Sequence, residues 1–589
     1  MRQHRRVLLI SKLTLRFQPI YDIAELCARR GISQAILCPG SRCAPLTIAF
    51  ARHPDITTRT FSDERSAAFI ALGISHQTKM PAVLVCTSGS AAYNFAPAVA
   101  EAYYARIPLL IFTADRPEEW IDQMDGQAIR QKNIYGNHVK KSFSLPEEYG
   151  HPDVPWFINR TIHEAITTAL EYPPGPVHIN TPFREPLYPA QGEEIHFTKT
   201  ARLMETVPGT RELSPKEIEY LKEQLKAFDK VLVVAGQDDH DDRMTKALVK
   251  FVNEQNAVLV GDIISNVHGI SSAARLADSF LAQGGDSLKK TLQPDFLITF
   301  GKSVISKNVK LFLRRHPPGQ HWHIQEAGPV ADAFQSLTEV IRTSPVYFFE
   351  HLFPAPQKTS SFEAQKRVNY SLLWEAEERR TQRSIQSFFS TPAVSELHLV
   401  NEILKTLPQH CNLHLANSMA VRYANFIGLE SEKKDIHVFS NRGTSGIDGC
   451  SSTAVGHALV SDVPNFLLTG DMALLYDRNA FWHNYSMPNL RIVVLNNHGG
   501  IIFSMIDGPN NLPEKEEYFV TRQHLGAQSL AHEFGFDYLK LDSLKKLKNI
   551  LKDFYEFDGK TKILEIETEQ SLSKDIFEKF KEQIRKGYL

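Results

Sequence analysis

The residues whose types and spacing could do chemistry gather first in the last quarter of the chain. An apolar run, Phe466-Leu467-Leu468-Thr469, stops at Gly470-Asp471. A second run, Arg491-Ile492-Val493-Val494-Leu495, stops at Asn496-Asn497-His498-Gly499-Gly500. Residues 474–483 between them read as a helix. In such a strand–helix–strand unit Asp471 and Asn497 fall at the carboxyl ends of parallel strands, the edge at which α/β sheets bind ligands. Magnesium takes near-octahedral oxygen ligands and often draws some of them from phosphates. A carboxylate, an amide oxygen and a nearby backbone carbonyl supply three, and two diphosphate oxygens with a water would complete the shell. Glycines at 499 and 500 let the backbone come close. Each fragment alone is an ordinary turn; together, both after apolar strands, they read as a metal–diphosphate site.

Three other groups carry chemical meaning. The stretch Ser440-Asn441-Arg442-Gly443-Thr444-Ser445-Gly446-Ile447-Asp448-Gly449 leads into a helix of small residues. The first N–H groups of such a helix can cradle an anion, although the glycine spacing is not that of a dinucleotide loop. Arginines stand in loops after apolar runs, at Arg42, Arg116, Arg422 and Arg442. Each alone reads as a surface or ion-pairing residue, but the guanidinium fork grips carboxylates bidentately, and a converging set would suit a dicarboxylate. Asp63-Glu64 precede Arg65-Ser66-Ala67-Ala68-Phe69. By position alone they are acids opening a helix, where capping and the helix dipole favour them.

The elements that must position these residues form three blocks, each alternating short β-branched runs with helical patterns. This is the signature of parallel α/β units. Strands are predicted at 35–37, 82–86, 109–113 and 177–180, then at 231–234, 257–260 and 296–300, then at 437–440, 466–469, 491–495 and 562–566. Their unbroken apolar character fits strands covered by helices on both faces. Polar stretches at 188–205 and 354–361 read as linkers, so the expected domains are 1–195, 206–352 and 366–589. The fold class is α/β, three doubly wound parallel-sheet domains, in a layout that resembles a duplication.

Bulk properties fit this picture. A chain of 589 residues corresponds to roughly three to five domains. With 66 basic and 67 acidic residues there is no bulk attraction to nucleic acid or to anionic membranes. The six cysteines form no C-x-x-C pair, and reduced core thiols in a cytoplasmic protein are expected. The basic start Met1-Arg2-Gln3-His4-Arg5-Arg6 is followed by an apolar stretch too short for a signal peptide and reads as a frayed extension. No run is long enough to predict a membrane span.

The motifs together resemble the MenD family of the thiamine-diphosphate-dependent enzyme superfamily, over nearly the whole chain and least closely in the middle block. Gly470-Asp471 followed by Asn496-Asn497 resembles the superfamily's cofactor motif. Met472 stands where glycine is usual, a departure that MenD-like members tolerate. The resemblance implies a domain architecture of the thiamine-diphosphate-binding type, with thiamine diphosphate held on Mg2+ (or Mn2+) by Asp471, Asn497 and the Gly499 carbonyl. It implies that Ile447 props the cofactor, that Ser445, Gly446, Gly470, Asn417, Ser418, Thr87 and Ile502 line it, and that Glu64 is the glutamate activating its aminopyrimidine ring. It also implies that Ser41, Arg42, Arg116, Arg422, Arg442, Lys307 and Phe503 face substrate, with Lys302 an alternative to Lys307, and that Gln127, in Gly126-Gln127-Ala128-Ile129-Arg130-Gln131, lies near the reacting carbon. The reaction implied is decarboxylation of 2-oxoglutarate and conjugate addition of the resulting succinyl carbanion to isochorismate, giving SEPHCHC in menaquinone biosynthesis. In the superfamily the pyrimidine and diphosphate halves come from different subunits, so the resemblance implies a homodimer as the minimum unit, with a homotetramer also open.

Two rival readings remain at this point. An acetolactate-synthase-like carboligase or another 2-oxo acid decarboxylase shares the cofactor motifs, but that synthase family often carries a flavin in its middle domain, and Val233-Val234-Ala235-Gly236-Gln237 offers no dinucleotide loop. A non-catalytic descendant has no reason to keep Glu64, Asp471 and Asn497 together.

Overall fold

The computed structural model describes residues 17–207, 209, 211–352, 361–506 and 508–588. The basic N-terminal extension and residues 354–360 of the second linker lie outside the described residues. Three six-stranded sheets form, and every strand pairing in them is parallel. The first holds β1 (Gln34–Leu37), β2 (Thr57–Thr60), β3 (Ala82–Cys86), β4 (Leu109–Asp115), β5 (Ser142–Ser144) and β6 (Pro176–Pro182), in the order β2-β1-β3-β4-β6-β5. The second holds β7 (Val231–Ala235), β8 (Val258–Gly261), β9 (Ala273–Ala274), β10 (Phe296–Phe300), β11 (Gln320–Ile324) and β12 (Glu339–Ile341), ordered β12-β11-β10-β7-β8-β9. The third holds β13 (Cys411–Leu415), β14 (Ile436–Phe439), β15 (Asn465–Gly470), β16 (Leu490–Asn496), β17 (Asp537–Leu541) and β18 (Lys562–Glu567), ordered β14-β13-β15-β16-β18-β17. The first and third sheets therefore share one strand order, whereas the middle sheet has the order of dinucleotide-binding folds.

By packing, the chain separates into two compact units. The first takes the residues up to 208 together with Asn441–Asp462 and Tyr476–Met487; the second takes Gly209–Ser440, Val463–Leu475 and the chain from Pro488 on.

In the first unit the inner strands are fully buried, and helices Gln18–Arg29, Ala44–Arg52 and Asp153–Leu170 close one face. The stretch 188–205 is no free linker: Ile195, Phe197, Ala201 and Leu203 pack against this core. Arg29 adds hydrogen bonds to the Lys199 and Ala201 carbonyls. Helix Glu64–Thr78 lies against helix Cys450–Ala458, and two glycines set how close they come. A Cβ on Gly73 would stand 2.2 Å from the Thr453 carbonyl oxygen, and one on Gly456 2.2 Å from that of Ile70. The expected helix 474–483 is also corrected. Helix Asp471–Tyr476 ends early and a short turn follows at Arg478–Phe481. Asp477, where the helix breaks, turns inward to accept from the backbone N–H and hydroxyl of Ser452, both at 2.7 Å.

In the second unit the middle and third sheets are joined by buried amides. Asn266 exchanges two hydrogen bonds with the backbone of Val438, at 3.0 and 2.8 Å, and Gln237 Nε2 donates to the Ser440 carbonyl at 2.8 Å. The crevice of the middle sheet, between β7 and β10, is closed by the chain itself. Gly236 N donates to the Phe300 carbonyl, Gln237 N to that of Ser303, and Lys302 N to that of Gln237, at 2.8–2.9 Å. A Cβ on Gly236 would lie 2.3 Å from the Lys302 carbonyl oxygen.

Gly456→Ala tests the helix contact in the first unit. Helix propensity alone would reward alanine by about 1 kcal/mol, but forcing two backbones apart costs about 1–3 kcal/mol. The expected outcome is a lower melting temperature with unchanged secondary structure. A thermal melt showing stabilisation would mean the helices do not touch through backbone at this point.

Candidate active site

The candidate site residues stand at the carboxyl edges of strands in each of the two units. In the third sheet, β15 delivers Gly470 and Asp471 beside Asn496 and Asn497 from its neighbour β16. Asp471 and Asn497 are both buried, 3% and 4% exposed. Gln523 Nε2 donates to Asp471 Oδ2 at 2.7 Å, and the backbone N–H groups of Met472 and Gly499 also point at this carboxylate. Burial pushes the Asp471 carboxyl above its ordinary range, while these donors hold it down. The turn after Asn497 is possible because of its glycines. Gly499 has φ +151°, and a Cβ there would meet the Val520 carbonyl at 2.8 Å. The Gly499 carbonyl accepts from Ile501 N at 3.0 Å and keeps a second lone pair. Phe503 folds back over Gly500, its ring tilted against Phe519 with the centroids 5.8 Å apart. Ile502 opens the short helix Ile502–Met505.

Asn417 and Ser418 leave β13 at the point where the strand order reverses, the position where α/β sheets bind ligands. Ser418 has φ +74° and accepts at its carbonyl from Arg422 Nη1 at 2.6 Å. Arg422 also feels the charge of Asp278 in the middle block. Asp278 Oδ1 in turn receives the Ser306 hydroxyl at 2.5 Å and the Asn308 N–H at 3.1 Å, on either side of Lys307. Lys307 is exposed at the first position of its helix, and Lys302 is half-buried with its backbone in the sealed crevice. The structure thus brings Arg422 and the Ser306–Asn308 segment to one acidic anchor.

In the first unit Glu64 opens its helix after β2, half-buried, and its neighbour Asp63 is the cap, accepting from Ser66 N at 3.2 Å. The capping role therefore falls to Asp63 and leaves Glu64 free of it. Asn94 Nδ2 donates to Glu64 Oε2 at 3.3 Å. Thr87 and Ser88 follow β3. Ser88 Oγ is buried with no hydrogen-bond partner among the described residues. Gly40, just before Ser41 and Arg42, presses on Thr87, where a Cβ would come within 2.3 Å. Gly89 N is held by Gln131 Oε1 at 2.8 Å, and the Gln127 backbone rests on Gly89. Arg116 Nη2 donates to the Gly126 carbonyl at 2.8 Å, fixing the start of the Gln127 turn. Gln127 itself has φ +57° and is exposed.

Burial first, and then the Arg116 charge, hold the Arg42 guanidinium below its ordinary value, so two cations are kept near each other here. Arg42 is 7% exposed and spends Nη1 on the Phe183 carbonyl at 3.0 Å. Ser41 is exposed and pairs with the Tyr188 hydroxyl at 2.9 Å. A cavity of about 840 Å3 opens beside Arg116, lined also by Gln131, Asn180, Arg130 and Lys132.

The loop carrying Arg442, Ser445, Gly446 and Ile447 belongs to the first unit. Its anion-holding N–H groups are engaged by the protein itself. The buried Glu101 carboxylate takes Gly443 N at 2.8 Å, Thr444 N at 2.6 Å and the Thr444 hydroxyl at 2.7 Å. At the following helix start Asp477 takes Ser452 N. Of the backbone N–H groups expected to be open to an anion here, those of Gly443, Thr444 and Ser452 are thus taken by the carboxylates of Glu101 and Asp477.

Whether the residues fit a cation can be judged from the donor set. Among the described residues, no three His, Cys, Asp or Glu side chains stand together as a metal site. The donors that the strand ends offer are oxygens, on Asp471, Asn497 and the Gly499 carbonyl, and oxygen is the donor a hard cation prefers. In chemical type they fit magnesium or manganese. Sequence reasoning missed Glu101, Gln131, Glu396 and Gln523. Each hydrogen-bonds a residue of the site or of its loops; Gln131 closes the quoted Gly126–Gln131 stretch without having been given a role, and the other three stand in no motif.

Comparison with known proteins places this architecture. Residues 21–134 match the family described as "Thiamine pyrophosphate enzyme, N-terminal TPP binding domain", and residues 210–415 that described as "Middle domain of thiamine pyrophosphate". Fold and site therefore define a thiamine-diphosphate-binding enzyme. A 2-succinyl-5-enolpyruvyl-6-hydroxy-3-cyclohexene-1-carboxylate synthase from Cytophaga hutchinsonii is 42% identical over 97% of this chain and 100% of its own. Synthases of the same name from Flavobacterium johnsoniae and Phocaeicola vulgatus are 38% and 36% identical, covering 93% and 91% of this chain and 95% and 92% of theirs. The chain belongs to the 2-succinyl-5-enolpyruvyl-6-hydroxy-3-cyclohexene-1-carboxylate synthase family.

Glu101→Ala tests the loop anchor. Leaving buried donors without an acceptor costs about 1–3 kcal/mol, which chemical denaturation should register. Hydrogen exchange should quicken selectively at the amides of Gly443 and Thr444. Unchanged exchange at those two amides would show that Glu101 does not hold the loop.

Proposed function

We propose that this chain decarboxylates 2-oxoglutarate and adds the resulting succinyl carbanion in conjugate fashion to isochorismate, giving SEPHCHC, with thiamine diphosphate and Mg2+ or Mn2+. Family membership makes it a transferase of menaquinone biosynthesis. The observation that carries the cofactor reading is the meeting of Asp471 with the Asn497–Gly499 turn at the ends of adjacent parallel strands. Bound thiamine diphosphate supplies a carbon nucleophile and an electron sink.

The chain's own residues do the rest. Asp471, Asn497 and the Gly499 carbonyl hold the cation, and Gly470, Asn417 and Ser418 stand along the same edge for the diphosphate. Ser445, Gly446, Ile447, Ile502 and Thr87 bound the cofactor. Glu64 hydrogen-bonds the pyrimidine ring nitrogen and moves its proton; Asn94 occupies one carboxylate oxygen and leaves the other for that work. Arg42, Arg116, Arg422, Arg442 and Lys307 take substrate carboxylates, Ser41 and Phe503 shape their site, and Gln127 orients the group at the reacting carbon. The closeness of Arg42 and Arg116 supports this, since two neighbouring cations make a receptor for an anion.

The proposal includes the domain partition 1–195, 206–352 and 366–589, with Glu64 of one chain and Asp471 of a second serving one cofactor in a homodimer or homotetramer. A cytoplasmic location is part of it, supported by six buried cysteines that form no disulfide. Among the described residues no helix is long and apolar enough to cross a membrane.

Carbon dioxide release from 2-oxoglutarate, measured with thiamine diphosphate, Mg2+ and isochorismate, tests the reaction; release from pyruvate instead would favour an acetolactate-type carboligase. Glu64→Gln should leave the fold intact and nearly abolish proton–deuterium exchange at the thiazolium carbon of bound cofactor. Exchange at the parent's rate would make Glu64 a helix-start acid only. Alanine at Arg42, Arg116, Arg422 or Arg442 should weaken apparent affinity for one substrate by roughly ten- to a hundred-fold, the loss of about 1.5–3 kcal/mol of charged hydrogen bonding, and leave cofactor affinity unchanged. Four variants with parent-like affinity for both substrates would remove the dicarboxylate assignment.

A further inference from the structure

Helix Glu396–Thr406 begins with a carboxylate that faces the protein interior. Glu396 is 1% exposed. Capping does not explain it, because Ser395 is the cap, its hydroxyl accepting from His398 N at 3.2 Å, and the helix dipole favours a first-turn acid that is exposed as much as one that is buried. Burying an unneeded carboxylate is costly, so its partners reveal its use. Glu396 Oε1 accepts from Asn497 Nδ2 at 2.8 Å, and Oε2 accepts from the Tyr423 hydroxyl at 3.3 Å. The Ser573 hydroxyl also donates to it.

An asparagine amide has two ends of similar shape and opposite chemistry. Only Oδ1 can bind a hard cation; Nδ2 carries two donors and no free lone pair. A half-turn about the last side-chain bond would swap them and spoil the ligand. An ionised carboxylate accepts and never donates, so it tolerates only Nδ2 against itself. On the other side of the amide, Gln570 Nε2 lies 3.5 Å from Asn497 Oδ1, a donor facing the acceptor end. The two neighbours agree on one orientation and leave Oδ1 a second lone pair.

We infer that Glu396 is the positioning residue of the metal ligand Asn497: by taking the hydrogen bond of Nδ2 it turns Oδ1 to the cation. This rests on the reading of Asp471 and Asn497 as metal ligands. Glu396 itself touches neither metal nor substrate.

The test is Mn2+ affinity of the full-length protein at saturating thiamine diphosphate, read from the paramagnetic resonance of free Mn2+. Melting of the metal-free protein serves as the check on folding. Glu396→Ala and Glu396→Leu both remove the acceptor, so that one remains usable if the other fails to fold. Each should weaken Mn2+ binding about ten- to a hundred-fold, as expected when a ligand loses its supporting hydrogen bond. Glu396→Gln keeps an acceptor for Nδ2 and should stay within about threefold of the parent. In an Asn497→Ala background, adding Glu396→Ala should change affinity by no more than about twofold, because the residue acts through Asn497. Parent-like binding by the alanine and leucine variants overturns the inference. So does an equal loss with and without Asn497, which would mark Glu396 as a general structural acid. If Asp471→Ala and Asn497→Ala themselves bind Mn2+ as the parent does, the metal-site reading fails first and the inference falls with it.

Discussion

A parallel strand delivers the residue that follows it to one edge of its sheet. In this chain that constraint decides where chemistry can occur. Asp471 after β15 and Asn497 after β16 meet because the two strands run side by side in the same direction. Thr87 after β3 and Arg116 after β4 share an edge in the first sheet for the same reason. The crossover helices and loops lie between, and their lengths can vary without moving these end points. The shared strand order of the first and third sheets means that the chain uses one scaffold twice, with different residues at the strand ends.

Strand ends fix position, but the loops beyond them need anchors, and the anchors here are buried carboxylates. Glu101 grips Gly443 and Thr444, and Asp477 grips Ser452. Asp262 takes the N–H groups of Ile305 and Ser306, and burial pushes its carboxyl up to about 7. Glu396 holds Asn497 and is likewise raised to about 7, by burial and then by the nearby Asp471 charge. A carboxylate offers several lone pairs and no donors, so a single side chain can satisfy two or three loop N–H groups that no strand can reach. The charge is costly to bury, and these acids sit where a loop conformation has to be unique.

The sheets were legible because fully buried parallel strands are unbroken apolar runs, as at Ala82–Cys86 and Phe296–Phe300, whose predicted limits are those observed. Strands with polar residues escaped. Gln320–Ile324 reads Gln-His-Trp-His-Ile, and its two histidines are buried because both pair with the Thr299 hydroxyl, at 2.9 and 2.8 Å. Cys411–Leu415 hides in the same way, with Asn412 and His414 both bonded to Asn465. Asp471 and Asn497 could be found since Gly-Asp and Asn-Asn turns, each closing an apolar strand, stand together as a motif. Glu396 could not, since Ser-Glu before an apolar run is also how any helix begins. Asp63 and Glu64 are indistinguishable as helix-start acids by position alone, and only the structure shows that Asp63 makes the capping hydrogen bond. A residue that acts through a neighbour distant in sequence leaves no spacing to read.

The middle sheet has the strand order of a nucleotide-binding domain, yet Gly236 and the Gly301–Lys302 turn are stitched together by main-chain hydrogen bonds across its crevice. Because the seam is backbone against backbone, exchanging side chains along it leaves the seam in place. Opening room for a phosphate group would require re-routing one of the two loops, by insertion or deletion. Drift at single positions along this seam would therefore leave the crevice of the middle sheet closed.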